Sequence, residues 1–532
     1  MPQEIRRPLS RRQFLALVGT SSLGGLLAAC GAPTTTTQPT AASGSAPTSA
    51  PAPTTAPAPT TAPAPTAAPT ASSEIVNLRY VFVGSPQKDT DAVQKDLSQL
   101  IQQKGVNATI TLEVIDWGAY NERVTLMNTG GEPFDLVFTA PWINNYYQNV
   151  ANGTLRPLDD LLVQYAPGLW ASMPPTTWDA ARVGGKIYGV INQQIFTKLF
   201  GPVFRKDLVE KYQIDVEGIT SYEQLTPILQ QIKDGEPDLR YIFLGDNASH
   251  KEIWGYDPID QALGFPAVKF DDSSARVVNF FETPEAVAYA TLAKTWREAG
   301  FTSIDELKKE EIDGLIKAGQ VAVLMAEVIK PGVEQELANK YGQEWVGRAL
   351  APNYLTTGGV VATLTGIPTT SQHPETAMQF LELVNTDPEV YNLLAKGIEG
   401  THWRFVDAKN RVIELIPDSG YNPNTDWMFG NQFNAYYTDP AAVGNWERTK
   451  ALNDAAKPSP ILGFTFDRTP VETELAQLSE VFARALKPVY AGDGDVAANI
   501  AAGNAELKAA GADVVIAEIQ RQIDAWLATR GG

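Results

Sequence analysis

From Ile75 onward the apolar positions switch between two periods. Leu78-Arg79-Tyr80-Val81-Phe82-Val83 reads as a buried strand. Val93, Leu97, Leu100 and Ile101 then recur at i, i+4, i+7 and i+8, which predicts a helix with one apolar face, and Gly105 stops it. Ile110-Thr111-Leu112-Glu113-Val114-Ile115 is the next strand. Tyr120, Val124 and Met127 mark a second helix that ends at Gly130-Gly131, and Phe134-Asp135-Leu136-Val137-Phe138 is the third strand. Strand and helix in strict alternation imply a parallel sheet flanked by helices. Ligands of such sheets bind beyond the carboxyl ends of the strands. The loops that matter are therefore Gly84-Ser85-Pro86, Asp116-Trp117-Gly118 and Thr139-Ala140-Pro141-Trp142.

The middle of the chain is also α/β but less regular. Helices are predicted over 206–212, 221–233, 284–299 and 305–318, a strand over Val321-Ala322-Val323-Leu324-Met325, and a helix around Glu375–Val384. The last seventy residues read as helical. Thr469-Pro470-Val471-Glu472 has the layout of a capped helix start, and Val471, Leu475, Leu478, Phe482 and Leu486 form one apolar face. A final helix carries Ile516, Ile519, Ile523, Trp526 and Leu527.

The first 73 residues lack these periods. Ser10-Arg11-Arg12-Gln13-Phe14-Leu15 precedes a short apolar run ending in Leu27-Ala28-Ala29-Cys30. Arginines, an apolar stretch and small residues are the layout of a signal peptide. The run is too short and too rich in Gly and Ser to span a bilayer. S-R-R-x-F-L resembles the twin-arginine export signal, and Leu27–Cys30 resembles a lipobox, in which the cysteine is diacylated and becomes the new N-terminus. Two acyl chains anchor stably where one is marginal. Residues 31–73 are almost all Ala, Pro, Thr, Ser and Gly, with Pro51-Ala52-Pro53-Thr54-Thr55-Ala56 repeated from Pro57. Such a segment has nothing to bury and reads as a disordered, extended stalk.

Composition narrows the function classes. The 532 residues hold 42 basic and 61 acidic side chains, a net of -19. Without residues 1–29, which carry four Arg and one Glu, 38 basic and 60 acidic residues remain, a net of -22. That surface does not suit nucleic acid or an anionic membrane as a direct partner. The single cysteine rules out an intrachain disulfide and a thiolate zinc site, and three histidines (His250, His373, His402) make a histidine-rich metal centre unexpected.

The chain has no phosphate loop, dinucleotide fingerprint, nucleophile elbow or H-E-x-x-H. Gly184-Gly185-Lys186 lacks the upstream glycine of a phosphate loop, and Asp493-Gly494-Asp495 reads as a turn. A glycosidase needs only two suitably spaced acids, which the sequence does not exclude. The tryptophans are more informative. Sugars present apolar C–H faces and dense hydroxyls, so their sites combine flat aromatics with amides and acids. Trp142-Ile143-Asn144-Asn145-Tyr146, Asn192-Gln193-Gln194 and Trp427-Met428-Phe429-Gly430-Asn431-Gln432 have this mixture, and Trp254 and Trp403 also lie outside any helical stripe.

Several segments, in order, resemble the extracellular solute-binding proteins of ABC importers. They are Phe134–Phe138, Gly153-Thr154-Leu155-Arg156-Pro157-Leu158-Asp159, Gly185-Lys186-Ile187-Tyr188-Gly189-Val190, Phe204-Arg205-Lys206-Asp207-Leu208, Gly319–Met325 and His373–Ala377. Gly397-Ile398-Glu399-Gly400-Thr401-His402-Trp403, Gly430–Phe433, Gly463–Asp467 and Ala510–Asp513 resemble an oligosaccharide-type lipoprotein branch, except that Thr401-His402-Trp403 replaces the cation and aromatic usual after Glu-Gly.

The resemblance implies an α/β, two-lobed periplasmic-binding-protein type II fold with a helical C-terminal region. Its expected segments are a signal peptide at 1–29, the lipidated cysteine and stalk at 30–73, lobe one at 74–190, lobe two at 191–358, a lobe-one return at 359–404, and lobe two with the C-terminal helices at 405–532. Crossings are expected at Tyr188–Asn192 and near Val360-Val361-Ala362. The candidate ligand-facing residues are Ser85, Trp142, Asn144, Asn192, Gln193, Glu327, Trp403, Trp427, Asn431 and Gln432, with Cys30 as the lipid site. No catalytic residue, metal or cofactor is implied. The expected partners are a small solute, above all an oligosaccharide, the transmembrane subunits of an ABC permease, and a membrane through the lipid. A secreted glycan hydrolase, a surface adhesin, and a receptor for a peptide, a polyamine or ferric iron stay open as alternatives.

Overall fold

The computed structural model describes residues 75–245, 251–260, 263–302 and 307–530, without the side chains of 309, 310, 326, 327 and 490. The signal peptide, Cys30 and the stalk, together with His250 and the side chain of Glu327, lie outside the described residues.

Nine strands build two principal sheets: β1 (Val76–Val83), β2 (Ala108–Ile115), β3 (Leu136–Thr139), β4 (Gly189–Ile191), β5 (Phe200–Arg205), β6 (Tyr241–Gly245), β7 (Val321–Val328), β8 (Trp345–Gly347) and β9 (Leu364–Gly366). The first sheet has the order β2-β1-β3-β9-β4. β1 pairs in parallel with β2 from Val76↔Ala108 to Val83↔Ile115 and with β3 on its other side. β9 runs antiparallel between β3 and β4. The sequence pattern explains the order. β3 is buried at every position, as a central strand covered on both faces must be, whereas β2 alternates buried and half-buried positions along its first five residues, as an edge strand does. The second sheet has the order β8-β5-β7-β6, with β7 parallel to β6 and antiparallel to β5.

Each sheet has its own core. Tyr80, Phe82, Val93, Leu97, Tyr120, Val124, Trp178, Phe380 and Tyr391 belong to the first. Phe204, Leu229, Phe243, Tyr289, Trp296, Leu478, Ile519 and Ile523 belong to the second. The expected C-terminal helices form (Glu472–Val481, Val496–Ala509, Ala512–Arg530) and complete the second core rather than a core of their own. The chain leaves the first core after Phe196, returns between Leu350 and Leu355, and leaves again between Ala456 and Phe464. The second and third crossings pair in parallel, Tyr354↔Lys457 and Leu355↔Pro458.

Four expectations are corrected. The first crossing is not at Tyr188–Asn192, because Gly189–Ile191 is β4, bonded to β9 inside the first sheet. The return crossing precedes Val360–Ala362, because Leu355, Val360 and Val361 already pack in the first core. The chain does not move to the second lobe at 405: Phe429 packs edge-on against Phe82 at 5.1 Å, and Tyr421, Met428 and Ala435 are first-core residues. Finally, Thr469 does not cap a helix. Its N–H donates to Asp467 Oδ1 at 3.0 Å, residues Thr469–Val471 form a 3-10 turn, and the α-helix begins at Glu472. Gly184 and Gly185 occupy the turn between Arg182–Val183 and Lys186–Ile187, with φ of 57° and 82°, a hairpin turn that needs two left-handed residues.

Candidate functional site

Three indoles meet at the carboxyl edge of the first sheet. Trp117 is in the loop after β2, Trp142 in the loop after β3, and Trp427 in the 3-10 turn Asp426–Met428. Their ring centroids are 6.3 Å (Trp117–Trp142), 6.3 Å (Trp117–Trp427) and 6.1 Å (Trp142–Trp427) apart. The buried Phe138 ring, in β3, meets Trp142 and Trp427 edge-on at 6.1 and 6.2 Å. Trp142 is 53% exposed and Trp117 40%, among the most exposed large apolar side chains described. Open indoles are costly in water, and together they form one aromatic surface where an α/β sheet binds its ligand.

Polar side chains fix these rings. The Trp142 indole N–H donates to the Ala362 carbonyl at 2.8 Å. The loop that carries it turns through Asn144, at φ 42°, a conformation that asparagine tolerates better than most residues. Asn144 Nδ2 donates to the Phe138 carbonyl at 2.9 Å, and its Oδ1 accepts from Asn149 at 2.9 Å. Tyr120 donates to the same Phe138 carbonyl at 2.7 Å, and burial raises its phenol well above the usual range, so the donor proton stays in place.

The Trp427 turn is held from several sides. Lys396 Nζ sits 2.6 Å from Asp426 Oδ2, and Tyr391 donates to the Asp426 carbonyl at 2.8 Å. Asn192 Nδ2 donates to the Met428 carbonyl at 2.8 Å, and Gln194 Nε2 to the Trp427 carbonyl at 3.3 Å. The backbone N–H of Gln193 donates to Gly430, and that of Gln432 to the Gln193 carbonyl, which binds the two segments side by side.

Of the residues singled out from sequence, the structure brings Trp142 and Trp427 together. Asn192 and Gln193 are buried; the Gln193 amide donates to Ser172 Oγ at 2.8 Å. Asn431 Oδ1 accepts from the Phe433 N–H, and its Nδ2 donates to the Asn385 carbonyl at 3.3 Å. Trp403 is buried in a separate cluster, its N–H on the Gly397 carbonyl and its ring 5.0 Å from Phe405 and 5.3 Å from Tyr436. Ser85 is exposed just past β1, and Glu327 lies near the end of β7 in the second sheet. Trp117 was not singled out as a residue, although its loop was; its signal is the Asp-Trp-Gly turn at a strand's carboxyl end. Trp254 packs in the second core, 5.8 Å from Tyr289.

His402 is buried and fully engaged: its Nδ1 accepts from the Ile398 N–H at 2.8 Å, leaving Nε2 to face Asp89 at 3.3 Å. No group of three or more His, Cys, Asp or Glu among the described residues is arranged to hold a metal ion. No helix among them is long and apolar enough to cross a membrane.

The family model "Bacterial extracellular solute-binding protein" matches residues 84–390, and a domain of unknown function, DUF3502, matches 460–528. A relative described as a carbohydrate ABC transporter substrate-binding protein from Streptococcus pneumoniae serotype 4 (strain ATCC BAA-334 / TIGR4) is 27% identical over 455 residues, 84% of this chain and 90% of the relative. The crystal structure of the N-glycan transport solute binding protein NgtS from Streptococcus pneumoniae aligns with a TM-score of 0.77 at 23% identity, over 86% of this chain and all of that one. The same protein in complex with Man1GlcNAc aligns with a TM-score of 0.65, also at 23% identity, over 85% of this chain and all of that one. These two likenesses are of fold. The matched family is described as extracellular and solute-binding, and the relative as substrate-binding. With more than half its length matched, the chain belongs to the bacterial extracellular solute-binding protein family.

Proposed function

We propose that this chain is the receptor of an ABC importer that captures an oligosaccharide between its two lobes and passes it to the permease subunits. The observation that carries this reading is the surface of Trp117, Trp142 and Trp427 at the carboxyl edge of the first sheet. Indole faces pair with the C–H faces of sugar rings, and rigidly held aromatics lose little entropy on binding. The description of the Streptococcus pneumoniae relative supports a carbohydrate and a permease partner. Ser85 and Glu327 are proposed as further contacts. Residues 1–29 are proposed as the export signal, Cys30 as the lipid anchor and 30–73 as the stalk that lets the lobes reach the permease.

A thermal-shift titration of the purified protein tests the reading. The panel is Man1GlcNAc and neutral manno-, gluco- and fructo-oligosaccharides, with a polyamine and a peptide as controls. A ligand at about 100 times its Kd stabilises by about 2.7 kcal/mol. Stabilisation by one glycan class, with the glycan recovered intact, supports the proposal. A glycan recovered cleaved would make the protein a hydrolase, and a response only to the controls would discard the sugar.

A further inference from the structure

All three indoles of the platform belong to the first lobe. A ligand shifts a two-state equilibrium only through contacts that differ between the states. Stacking on the first lobe biases closure only through a contact added by the second lobe, such as that proposed for Glu327, or through a link from the stack to the hinge.

Gln194 makes that connection. It stands at the first-lobe end of the first crossing. Its amide donates to Thr363 Oγ1 at 2.8 Å and reaches the Trp427 carbonyl at 3.3 Å. Thr363, the residue just before β9 in the first sheet, donates its hydroxyl to the same carbonyl at 3.4 Å. The Gln194 carbonyl accepts from Asn453 Nδ2 at 2.7 Å, and Asn453 Oδ1 accepts from the Phe196 N–H at 2.9 Å. Asn453 lies in the helix Asn445–Asp454, which leads into the third crossing. Beside Thr363, the Ala362 carbonyl holds the Trp142 indole. One residue thus joins the first-lobe ends of the first and third crossings to Thr363 and the Trp427 backbone, and Ala362, next to Thr363, reaches Trp142.

We propose that Gln194 is a positioning residue that transmits the seating of a ligand on Trp427 to the first and third crossing segments and so couples binding to the angle between the lobes. The inference rests on the receptor reading above. Lobe closure concentrates its backbone changes in a few hinge residues. Bonded through the Gln194 amide to Thr363 and the Trp427 carbonyl, the ends of the first and third crossings turn with the aromatic platform; without those two bonds they turn independently of it.

The test is the interlobe distance distribution from spin labels at Lys88→Cys and Gln230→Cys, both exposed, in a Cys30→Ser background. Gln194→Met keeps the length of the side chain and removes both N–H donors. Without ligand, the variant is expected to give a broader distribution than the parent. Its near-ultraviolet circular dichroism is expected to match the parent, because Lys396 still holds the Trp427 turn. Affinity for Man1GlcNAc is expected to fall about threefold to tenfold, the effect of one or two lost hydrogen bonds. A merely structural role would lower the melting temperature and leave the width unchanged. Should Gln194→Met not fold, Thr363→Val cuts the same junction from the other side. A parental width in whichever variant folds overturns the proposal. Absence of Man1GlcNAc binding by the parent would count against the glycan reading, while the ligand-free arm still decides the role of Gln194.

Discussion

Lys396 holds Asp426 at 2.6 Å, and Asp426 is the residue before Trp427. The two side chains are 7% and 16% exposed, so neither charge is well solvated alone. Removing one member of a buried pair costs far more than the pair is worth, because the other charge is left without compensation. Lys396→Met is therefore expected to destabilise the protein by about 3 kcal/mol, read from urea unfolding. The double variant Lys396→Met/Asp426→Asn is expected to recover much of that loss. A single variant as stable as the parent would show that the pair does not anchor the turn.

The aromatic surface makes an unequal prediction for its members and for Trp403. Trp427→Ala and Trp142→Ala are each expected to weaken glycan binding by about 2 kcal/mol, about thirtyfold in Kd, as truncation of a central aromatic contact does. Trp403→Phe should leave affinity near the parental value and lower stability instead, since the indole N–H of Trp403 is spent on the Gly397 carbonyl. Isothermal titration with each variant separates the two. Equal loss of affinity in all three would mean that the sugar does not stack on this surface.

The first sheet was legible because β1 and β3 contain the apolar runs Tyr80–Val83 and Leu136–Phe138 and the helices after β1 and β2 repeat their buried positions at helical spacing. Even there, the strand expected from Phe134 begins at Leu136. The crossings were not legible. A segment leaving a sheet is as apolar as one inside it, and only pairing with β9, far along the chain, assigns Gly189–Ile191 to the first lobe. The site was legible in part for a related reason. Loop tryptophans beside amides pointed to Trp142 and Trp427, whereas Asn121, at the same spacing from Trp117 as Asn431 from Trp427, falls in the helix Tyr120–Thr129 and gives no loop signal. The amides themselves misled. A buried amide demands a partner, and local sequence does not say whether that partner is a ligand hydroxyl or, as for Asn192, a carbonyl 236 residues away.

Gly201 begins the second lobe where the first and second crossings touch. A Cβ built there would lie 1.8 Å from the Arg348 carbonyl oxygen, an atom of the backbone that no rotamer change can move. Gly201→Ala must push β5 away from residues 348–349, next to the bonds from the Leu350 and Ala351 N–H groups to the Phe200 carbonyl. The expected cost is about 1–3 kcal/mol, the range for overpacking a close contact. Faster hydrogen exchange at Leu350 and Ala351 should accompany it. Slowed or unchanged exchange at those two amides would refute the clash.

Asp257 gives the fold a pH dependence whose sign can be worked out. It is buried on the strand Tyr256–Pro258, where its Oδ2 accepts from Ser459 Oγ at 2.5 Å, a residue of the third crossing. Burial pushes its carboxyl up from 3.8 to about 7, and Glu252 adds to the rise, while the Ser459 hydrogen bond and Lys198 oppose it. Below about pH 4 the folded and unfolded chains both hold this proton, and the group contributes no slope. Between about pH 4 and pH 7 the folded chain keeps a proton that the unfolded chain has lost, so stability falls as pH rises; above about pH 7 the loss is complete. Asp257→Asn keeps an acceptor for Ser459 and never ionises. It is expected to match the parent near about pH 4 and to melt higher than the parent near about pH 8, with the gap opening across the window between. Differential scanning calorimetry of both proteins at a series of pH values decides it, and a gap that stays constant with pH would mean that Asp257 is not the titrating group.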